Sequence, residues 1–577
     1  MKIKGQLNNF RLAGLVSVGA LVLGAGAAMA QSEATGIADP SRAGDQLEQP
    51  SMTPSVEPQL RVRDQRIQAA PAGAENVKFT LKDVNVEGAS VYSDTDIRPL
   101  YAGKIGQTVS LKEVYDIAGE LTLKYRNDGY ILTQVVVVPP PTIANGVPTL
   151  HVVEGNVANV TIQKADANAP IDMTMVEAYA AQLKNTPALN ARDLERQLLL
   201  INDLPGVTAR SVLSRSATPG ATDVAIIVDY DPFDGLLSVD NFGSRYLGPV
   251  QLGAAGTMNS WLGLNEAITG QIVVAPQSWY ELAYGSLGYE MPVGDYGTKV
   301  KVFGSVTDTD PGYDLKQFDV NGRSYLFNVG ATHPVIRARA ENLTARLNFD
   351  LRRVKSSNDI EETRRDRLSV MRAGARYEFI DTLLSAAANT IDVEVSKGLG
   401  IFGASDEGDD NMTRAAADPQ ATKLEADIQR LQRITDGVNL LVGARGQIAS
   451  NALLSSEEFS VGGVYGFGRG YDPSEVTGDH GIAGKVELQW NDPYKFDERY
   501  VESYQLYGFY DIGRVWNEDA TTNSQERDSI ASVGVGVRFD LPYEMDGGFA
   551  VAFPLTRAPA TQNDRDPKFY VNFSKRF

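Results

Sequence analysis

The sequence has no cysteine and only three histidines in 577 residues. Without cysteine there is no disulfide framework, no thiolate nucleophile and no thiolate-held metal. His151, His333 and His480 lie far apart with no ligand spacing, so neither a metal site nor a cofactor is expected. Positive charge is also scarce: 54 Lys and Arg stand against 73 Asp and Glu, for a net charge of −19. No polybasic face is offered to nucleic acid, which is therefore not an expected partner. Nor can a nucleophile, a base and an orienting partner be proposed at motif spacing, so an enzymatic reading has no support.

What is present begins with an address. Lys2, Lys4 and Arg11 precede an apolar run from Leu12 to Ala28, and Ala28-Met29-Ala30 stands before Gln31. This is the three-part pattern of a secretory signal, with cleavage expected between Ala30 and Gln31. A membrane-anchoring helix would want about 20 apolar residues, and this run is shorter and rich in glycine and alanine. Residues 31–76 are polar and punctuated by proline, and read as a flexible linker with at most short helices, at Pro40 to Glu48 and Gln59 to Ile67.

Residues 77–155 form a first compact unit. Val77, Phe79 and Leu81 alternate as a strand, and Ser110 with Glu113 is a capping box. The helix that follows carries Leu111, Val114, Tyr115, Ala118, Leu121 and Tyr125 on one face, and Gly129 is placed to stop it. Strands at Val135 to Val138 and Thr149 to Val153 flank Pro139-Pro140-Pro141 and the hairpin signal Asn145-Gly146. A second unit, 156–232, opens with Val157 to Ile162. It continues with helices near Met173 to Leu183 and Leu194 to Ile201, and closes with Val224 to Asp229.

From residue 233 to the end the texture is short alternating segments between polar turns. In Ser532 to Leu541, Val533, Val535, Val537, Phe539 and Leu541 point one way, while Ser532, Gly534, Gly536, Arg538 and Asp540 point the other. A soluble sandwich would bury the apolar side, whereas a membrane barrel turns it to lipid. The signal segment and the number of strands favour the barrel. Eleven segments precede residue 459, the first near Leu236 and the eighth near Ser369, and five follow, from Gly481 to Lys568. Sixteen is an even number, as a closed bacterial barrel needs. The last segment puts Phe569, Val571, Phe573 and Phe577 on one face.

Between the eleventh and twelfth segments lies Gly466-Phe467-Gly468-Arg469-Gly470-Tyr471. Its glycines allow the chain to fold back tightly and present Arg469 on a narrow tip, or to make a surface hairpin turn. Forty-two residues later comes Asp511, in Phe509-Tyr510-Asp511-Ile512-Gly513. On that strand Tyr504, Leu506, Tyr510 and Ile512 share one face and Gln505, Tyr507, Phe509 and Asp511 the other. An aspartate facing lipid is costly, so the Asp511 face is assigned to the interior. Two stretches carry less. Gly398 to Gly403 matches G-x-G-x-x-G but leads into a polar loop and not a helix, and the charged run Glu361 to Arg367 reads as a solvated rim.

Gly468-Arg469-Gly470-Tyr471 resembles the arginine tip of the inward-folded loop in the superfamily of outer-membrane barrels preceded by POTRA domains. The usual first residue there is valine; Gly468 departs from it in packing, not in charge. Phe509 to Gly513 is similar to the strand motif whose aspartate receives the arginine, which implies that Asp511, beside Gly513, is the lumen-wall partner of a loop spanning 459–480. Tyr125-Arg126-Asn127-Asp128-Gly129-Tyr130 and Val153-Glu154-Gly155 resemble a POTRA domain of the two-partner secretion type, and Asp240 to Tyr246 is similar to the first barrel strand of such transporters. The ending Phe573 and Phe577 resembles the terminal-strand signal read by barrel-assembly machinery.

The resemblance implies two α+β POTRA domains in the periplasm and a 16-stranded antiparallel transmembrane β-barrel, residues 233–577, in the lipid of a Gram-negative outer membrane. It implies a transporter that takes up an unfolded exoprotein, an adhesin- or haemolysin-like β-helical cargo, through its POTRA domains and secretes it through the barrel. The alternative is an insertase that assembles other barrels, which shares the loop motif; two POTRA units favour secretion. A diffusion porin leaves the soluble units unexplained. Family members can carry an N-terminal helix that plugs the barrel, but no motif for it is matched here.

Overall fold

The computed structural model describes residues 36–48, 68–139, 141–167, 169–185, 188–218, 221–276, 281–492, 494, 497, 499–519 and 526–577. The segment expected to be a secretory signal, the expected cleavage junction Ala30 to Gln31 and the helix candidate Gln59 to Ile67 lie outside the described residues.

After a nine-residue helix, α1 (Pro40–Glu48), the first unit comprises β1 (Lys78–Thr80), β2 (Asn85–Glu87), β3 (Thr108–Ser110), α2 (Leu111–Asn127), β4 (Gln134–Val136), β5 (Ile143–Ala144) and β6 (Val147–Val153). α2 starts where Ser110 and Glu113 cap each other, the Glu113 carboxylate accepting from the Ser110 amide at 2.7 Å. Its buried face, Leu111, Val114, Ala118, Leu121 and Tyr125, covers a β2-β6-β4 sheet. The Asn145-Gly146 turn, with φ of 53° and 83°, closes the short β5–β6 hairpin.

The second unit contains β7 (Asn156–Lys164), α3 (Thr174–Ala181), α4 (Ala191–Asn202), β8 (Val207–Arg215) and β9 (Ala221–Tyr230), with sheet order β7-β9-β8. β8 is a strand the sequence reading did not anticipate. Each unit has its own apolar cluster. They meet at Gly129, whose carbonyl accepts from Ala191 at 2.8 Å while Asn190 caps α4 and donates to the Asp128 carbonyl.

Sixteen antiparallel strands then close into a barrel. They are β10 (Phe233–Asp240), β11 (Gln251–Asn259), β12 (Ala267–Val274), β13 (Leu282–Val293), β14 (Thr298–Thr309), β15 (Asn321–Arg337), β16 (Glu341–Ser357), β17 (Glu362–Asp381), β18 (Ala387–Gly398), β19 (Thr422–Arg433) and β20 (Val438–Ala449), followed after a small hairpin, β21 (Phe459–Val461) and β22 (Val476–Gly478), by β23 (His480–Asn491), β24 (Ser503–Trp516), β25 (Arg527–Leu541), β26 (Met545–Pro554) and β27 (Lys568–Arg576). Outward positions carry apolar residues such as Leu347, Val535, Phe549 and Phe569, the face a bilayer requires. Strand length is uneven: β10 and β12 have 8 residues, β17 has 20. Pairing is uneven too. The β10–β27 seam joins five residue pairs and β16–β17 joins seventeen.

The second unit is fastened to one end of the barrel. Arg337, closing β15, holds Asp203 through two hydrogen bonds of 2.7 and 2.8 Å, and Lys299 donates to the Asp203 carbonyl at 2.9 Å. The Arg339 amide donates to Glu195 at 3.0 Å.

Two expectations need correcting. Residues 31–76 are not all linker, because α1 lies inside the barrel. Asp39 pairs with Arg364 of β17 at 2.6 Å, Asp45 with Arg352 of β16 at 2.6 Å and Arg42 with Glu458 at 2.6 Å. Nor is Glu361 to Arg367 simply a solvated rim. It is the start of β17, seven residues before the expected Ser369, and its alternation buries Arg364 and Asp366 in the lumen while Arg365 and Arg367 stay outside.

Candidate functional site

The chain between β20 and β23 turns back into the lumen from the rim opposite the one to which the second unit is fastened. β21 and β22 pair through Phe459↔Gly478 and Val461↔Val476, and their apolar side chains pack with Phe467, Tyr471, Ala483, Val515 and Ile530. Glycines make this close fit possible. An added Cβ at Gly513 would sit 2.5 Å from Val461 and one at Gly470 would sit 2.8 Å from Ser532 Cβ. Gly468 has φ of 102°, in the left-handed region, and a Cβ there would approach Ile530 at 3.0 Å. Glycine in place of the family's valine thus belongs to a tip pressed against the wall.

Arg469 projects from that tip toward β24. Its Nε and Nη2 each donate to Asp511 at 2.8 Å, and its backbone amide donates to the same carboxylate at 3.1 Å. A second acid, Glu487 of β23, accepts from Nη1. Arg469 is 8% exposed, Glu487 2% and Asp511 0%, a drier setting than a partly wet lumen would give. The guanidinium lies 3.5 Å from the centroid of the Phe509 ring, and Arg538, which donates to Glu487 at 2.8 Å, lies 3.8 Å from that of Tyr507. The two aromatics that sit oddly on the polar face of β24 are therefore cation platforms. Tyr570 of β27 donates to the Arg469 carbonyl at 2.6 Å, and the Tyr471 hydroxyl meets Thr556 at 2.7 Å.

The structure thus brings Gly468, Arg469, Gly470, Tyr471, Asp511 and Gly513 together. Phe573 and Phe577 lie apart, on the lipid-facing side of the seam strand, where Phe577 and Gly235 exchange backbone hydrogen bonds of 3.0 and 3.2 Å. Ala30 and Gln31 fall outside the described residues. Glu487 and Tyr570 were not anticipated. Lys485, Glu487 and Gln489 alternate with Val486, Leu488 and Trp490, which marks Glu487 as inward-facing but not its partner.

The loop and α1 both occupy the lumen, leaving a cavity of about 430 Å³ bordered by Arg42, Asp45, Ser460 and wall residues such as Arg372 and Lys423. Beyond the α1 ion pairs, Gln46 donates to Ser474 at 2.8 Å. Next to them Arg372 bridges Asp350 at 2.6 Å and Glu457 at 2.7 Å, and Glu457 also takes Lys423 at 3.0 Å.

In the first POTRA unit the two sequence motifs meet. The Glu154 carboxylate accepts from the Ser90 and Val91 amides at 2.8 and 3.0 Å and from the Tyr125 hydroxyl at 2.8 Å. Burial pushes the Glu154 carboxyl up, but these hydrogen bonds outweigh it and hold it below its ordinary value. Burial, reinforced by Glu154, pushes the Tyr125 hydroxyl well above its ordinary range.

Comparison with known proteins agrees with this architecture. The family described as "Haemolysin secretion/activation protein ShlB/FhaC/HecB" matches residues 220–539, and "POTRA domain, ShlB-type" matches residues 79–155. The heme/hemopexin transporter protein HuxB of Haemophilus influenzae (strain 86-028NP) is 23% identical over 559 residues, covering 92% of this chain and 94% of its own. The outer membrane transporter CdiB of Dickeya dadantii (strain 3937) is 21% identical over 517 residues, covering 85% and 87%. The solved structure of CdiB from Escherichia coli matches with a TM-score of 0.72 at 19% identity, over 96% of this chain and 99% of that one, a likeness of fold. Since the family match spans more than half of the sequence, the chain belongs to the ShlB/FhaC/HecB family of haemolysin secretion/activation proteins, the outer-membrane transporters of two-partner secretion and not the insertases that share their barrel.

Proposed function

We propose that the chain exports an unfolded, β-rich exoprotein, captured in the periplasm by strand addition to its POTRA sheets and passed through the lumen once α1 and the arginine loop have moved aside. The observation that carries this reading is the occupied lumen: a barrel whose interior holds a helix and a folded-back loop on charged contacts is built as a gate and not as a diffusion pore. Capture has a candidate edge in β8. Asn202 covers the backbone of Ala209 at one end, through bonds of 2.7 and 3.1 Å. Further along, Val212 and Leu213 are exposed, and main-chain pairing there needs no fixed cargo sequence. The family places a secreted exoprotein beside such a transporter. An adhesin- or haemolysin-like β-helical cargo, delivery of the barrel by assembly machinery through Phe573 and Phe577, and cleavage after Ala30 belong to the same reading, which contains no catalytic step.

A tether tests it. A Cβ added at Gly44 of α1 would lie 3.9 Å from the Cβ of Thr307 on β14, within the span of a disulfide, and the chain has no other cysteine to interfere. Gly44→Cys with Thr307→Cys is expected to stop secretion when oxidised and to restore it on reduction. Unchanged secretion with the disulfide demonstrably formed would show that α1 need not leave the lumen.

A further inference from the structure

The outward half of the charged run starting β17 is not used by any lumen contact. On the outside of the barrel, near the rim away from the POTRA units, Arg323, Lys355 and Arg365 are register partners on β15, β16 and β17. One row nearer the bilayer centre stand Tyr325, Arg353 and Arg367, and below them Phe327, Leu351 and Ser369. Five cations thus share two rows of three adjacent strands. Three carboxylates pair with them: Asp308 with Arg323, Glu362 with Lys355 and Arg365, and Asp409 with Arg367. Arg353 gives Nη1 to the carbonyls of Arg352 and Leu368, at 2.9 and 3.0 Å, and one Nη2 hydrogen to that of Phe402, at 2.6 Å. Among the described residues no carboxylate bonds to it.

The surface around these cations is amphipathic in depth. Toward the bilayer centre a shallow cleft of about 610 Å³ is walled by Leu287, Tyr325 and Phe327. Its floor includes Gly285, where an added Cβ would meet nothing within 4 Å, and Gly304, where it would meet one backbone oxygen at 3.7 Å. Toward the rim a second cleft, of about 630 Å³, is lined by Asp308, Arg323, Lys355 and Glu362. An apolar slot beneath a cationic shelf suits an amphiphile and not a dissolved anion.

We propose that this face binds an acylated, phosphorylated glycolipid of the outer leaflet, with a phosphate against Arg353, Arg367 and Lys355 and an acyl chain in the glycine-floored cleft. Cations on a lipid-facing wall cost about 2–4 kcal/mol at the bilayer midplane and little near the interface. Their rows lie rimward of the exposed apolar Phe327, Val329 and Leu347, which assigns them to the edge of the bilayer, where phosphates reside. Guanidinium groups match phosphate oxygens in two places at once, and a charge held only by neutral carbonyls is open to an anion.

Native mass spectrometry of the purified full chain, titrated with bisphosphorylated lipid A, its phosphate-free form and phosphatidylglycerol, tests this independently of export. Bisphosphorylated lipid A is expected to bind about tenfold more tightly than the other two, and Arg353→Gln with Arg367→Gln to abolish that preference, the loss of charge-assisted hydrogen bonds having this size. Glu362→Gln, which frees Lys355 and Arg365, is expected to tighten binding about threefold, the scale of an exposed ion pair. This variant decides the matter should the double variant fail to fold. The proposal is overturned by equal binding of the phosphate-free lipid or of phosphatidylglycerol, by displacement with inorganic phosphate at equal concentration, or by a Glu362→Gln variant no tighter than the parent.

Discussion

Asp511 receives both ends of Arg469: the side-chain fork at 2.8 Å twice and the residue's own backbone amide at 3.1 Å. One carboxylate therefore sets the direction of the loop as well as the position of the charge. Only a side chain that curls back over its own amide satisfies both, while the flanking Gly468 and Gly470 let the tip press against Ile530 and Ser532.

Removing either member should release the loop. Arg469→Asp and Asp511→Arg are each expected to raise conductance in planar bilayers and to change secretion of the exoprotein, because breaking a buried pair costs about 3–5 kcal/mol and the loop is then no longer held in place. The doubly swapped chain is expected to recover only in part, since Glu487 would then face an aspartate in place of an arginine. Normal secretion and conductance from both single variants, at normal barrel abundance, would remove the pair from the mechanism.

The first POTRA unit should weaken in acid. Glu154 has a folded-state carboxyl below its ordinary value, so its contribution is present above the ordinary range near pH 4.5 and is lost as pH falls through the folded value. Tyr125 is shifted up; its contribution is present below about pH 10 and fades as pH rises toward its folded value. Thermal unfolding of residues 68–230, followed by circular dichroism, is expected to show Glu154→Gln less stable by about 1–3 kcal/mol at neutral pH, with the gap narrowing below pH 4. A gap that stays constant down to pH 3 would contradict the assignment.

The seam offers a separable test of the last residue. Deleting Phe577 removes two backbone hydrogen bonds to Gly235, whereas Phe577→Ala keeps them and removes only the outward ring. Heat-modifiable mobility is expected to show less folded barrel for both. A full yield from Phe577→Ala with a low one from the deletion would assign the role to the backbone alone.

Much of this was readable in the sequence because a lipid-facing wall imposes period-two alternation on every strand. That is how the Asp511 face could be assigned inward from Leu506, Tyr510 and Ile512. The alternation is masked at β17, whose first residues have arginine where lipid-facing residues are normally apolar, and it does not reveal the role of Glu487, because which acid meets Arg469 depends on how β23 and β24 come together around the loop. Pro40 to Glu48 was legible as a helix, but its place inside the barrel rests on Arg352, Arg364 and Glu458, hundreds of residues away, which no local pattern reports.

The uneven wall has a mechanical consequence. β17 is the eighth of sixteen strands and so lies across the barrel from the junction of β10 and β27. One side is a tall, stiff spine of seventeen rungs, and the opposite side a low clasp of five. A hoop built this way does not share tension evenly. Swelling from within, as when a polypeptide crowds the lumen, loads the clasp first, and the spine keeps its shape as a fixed reference against which the rest can give.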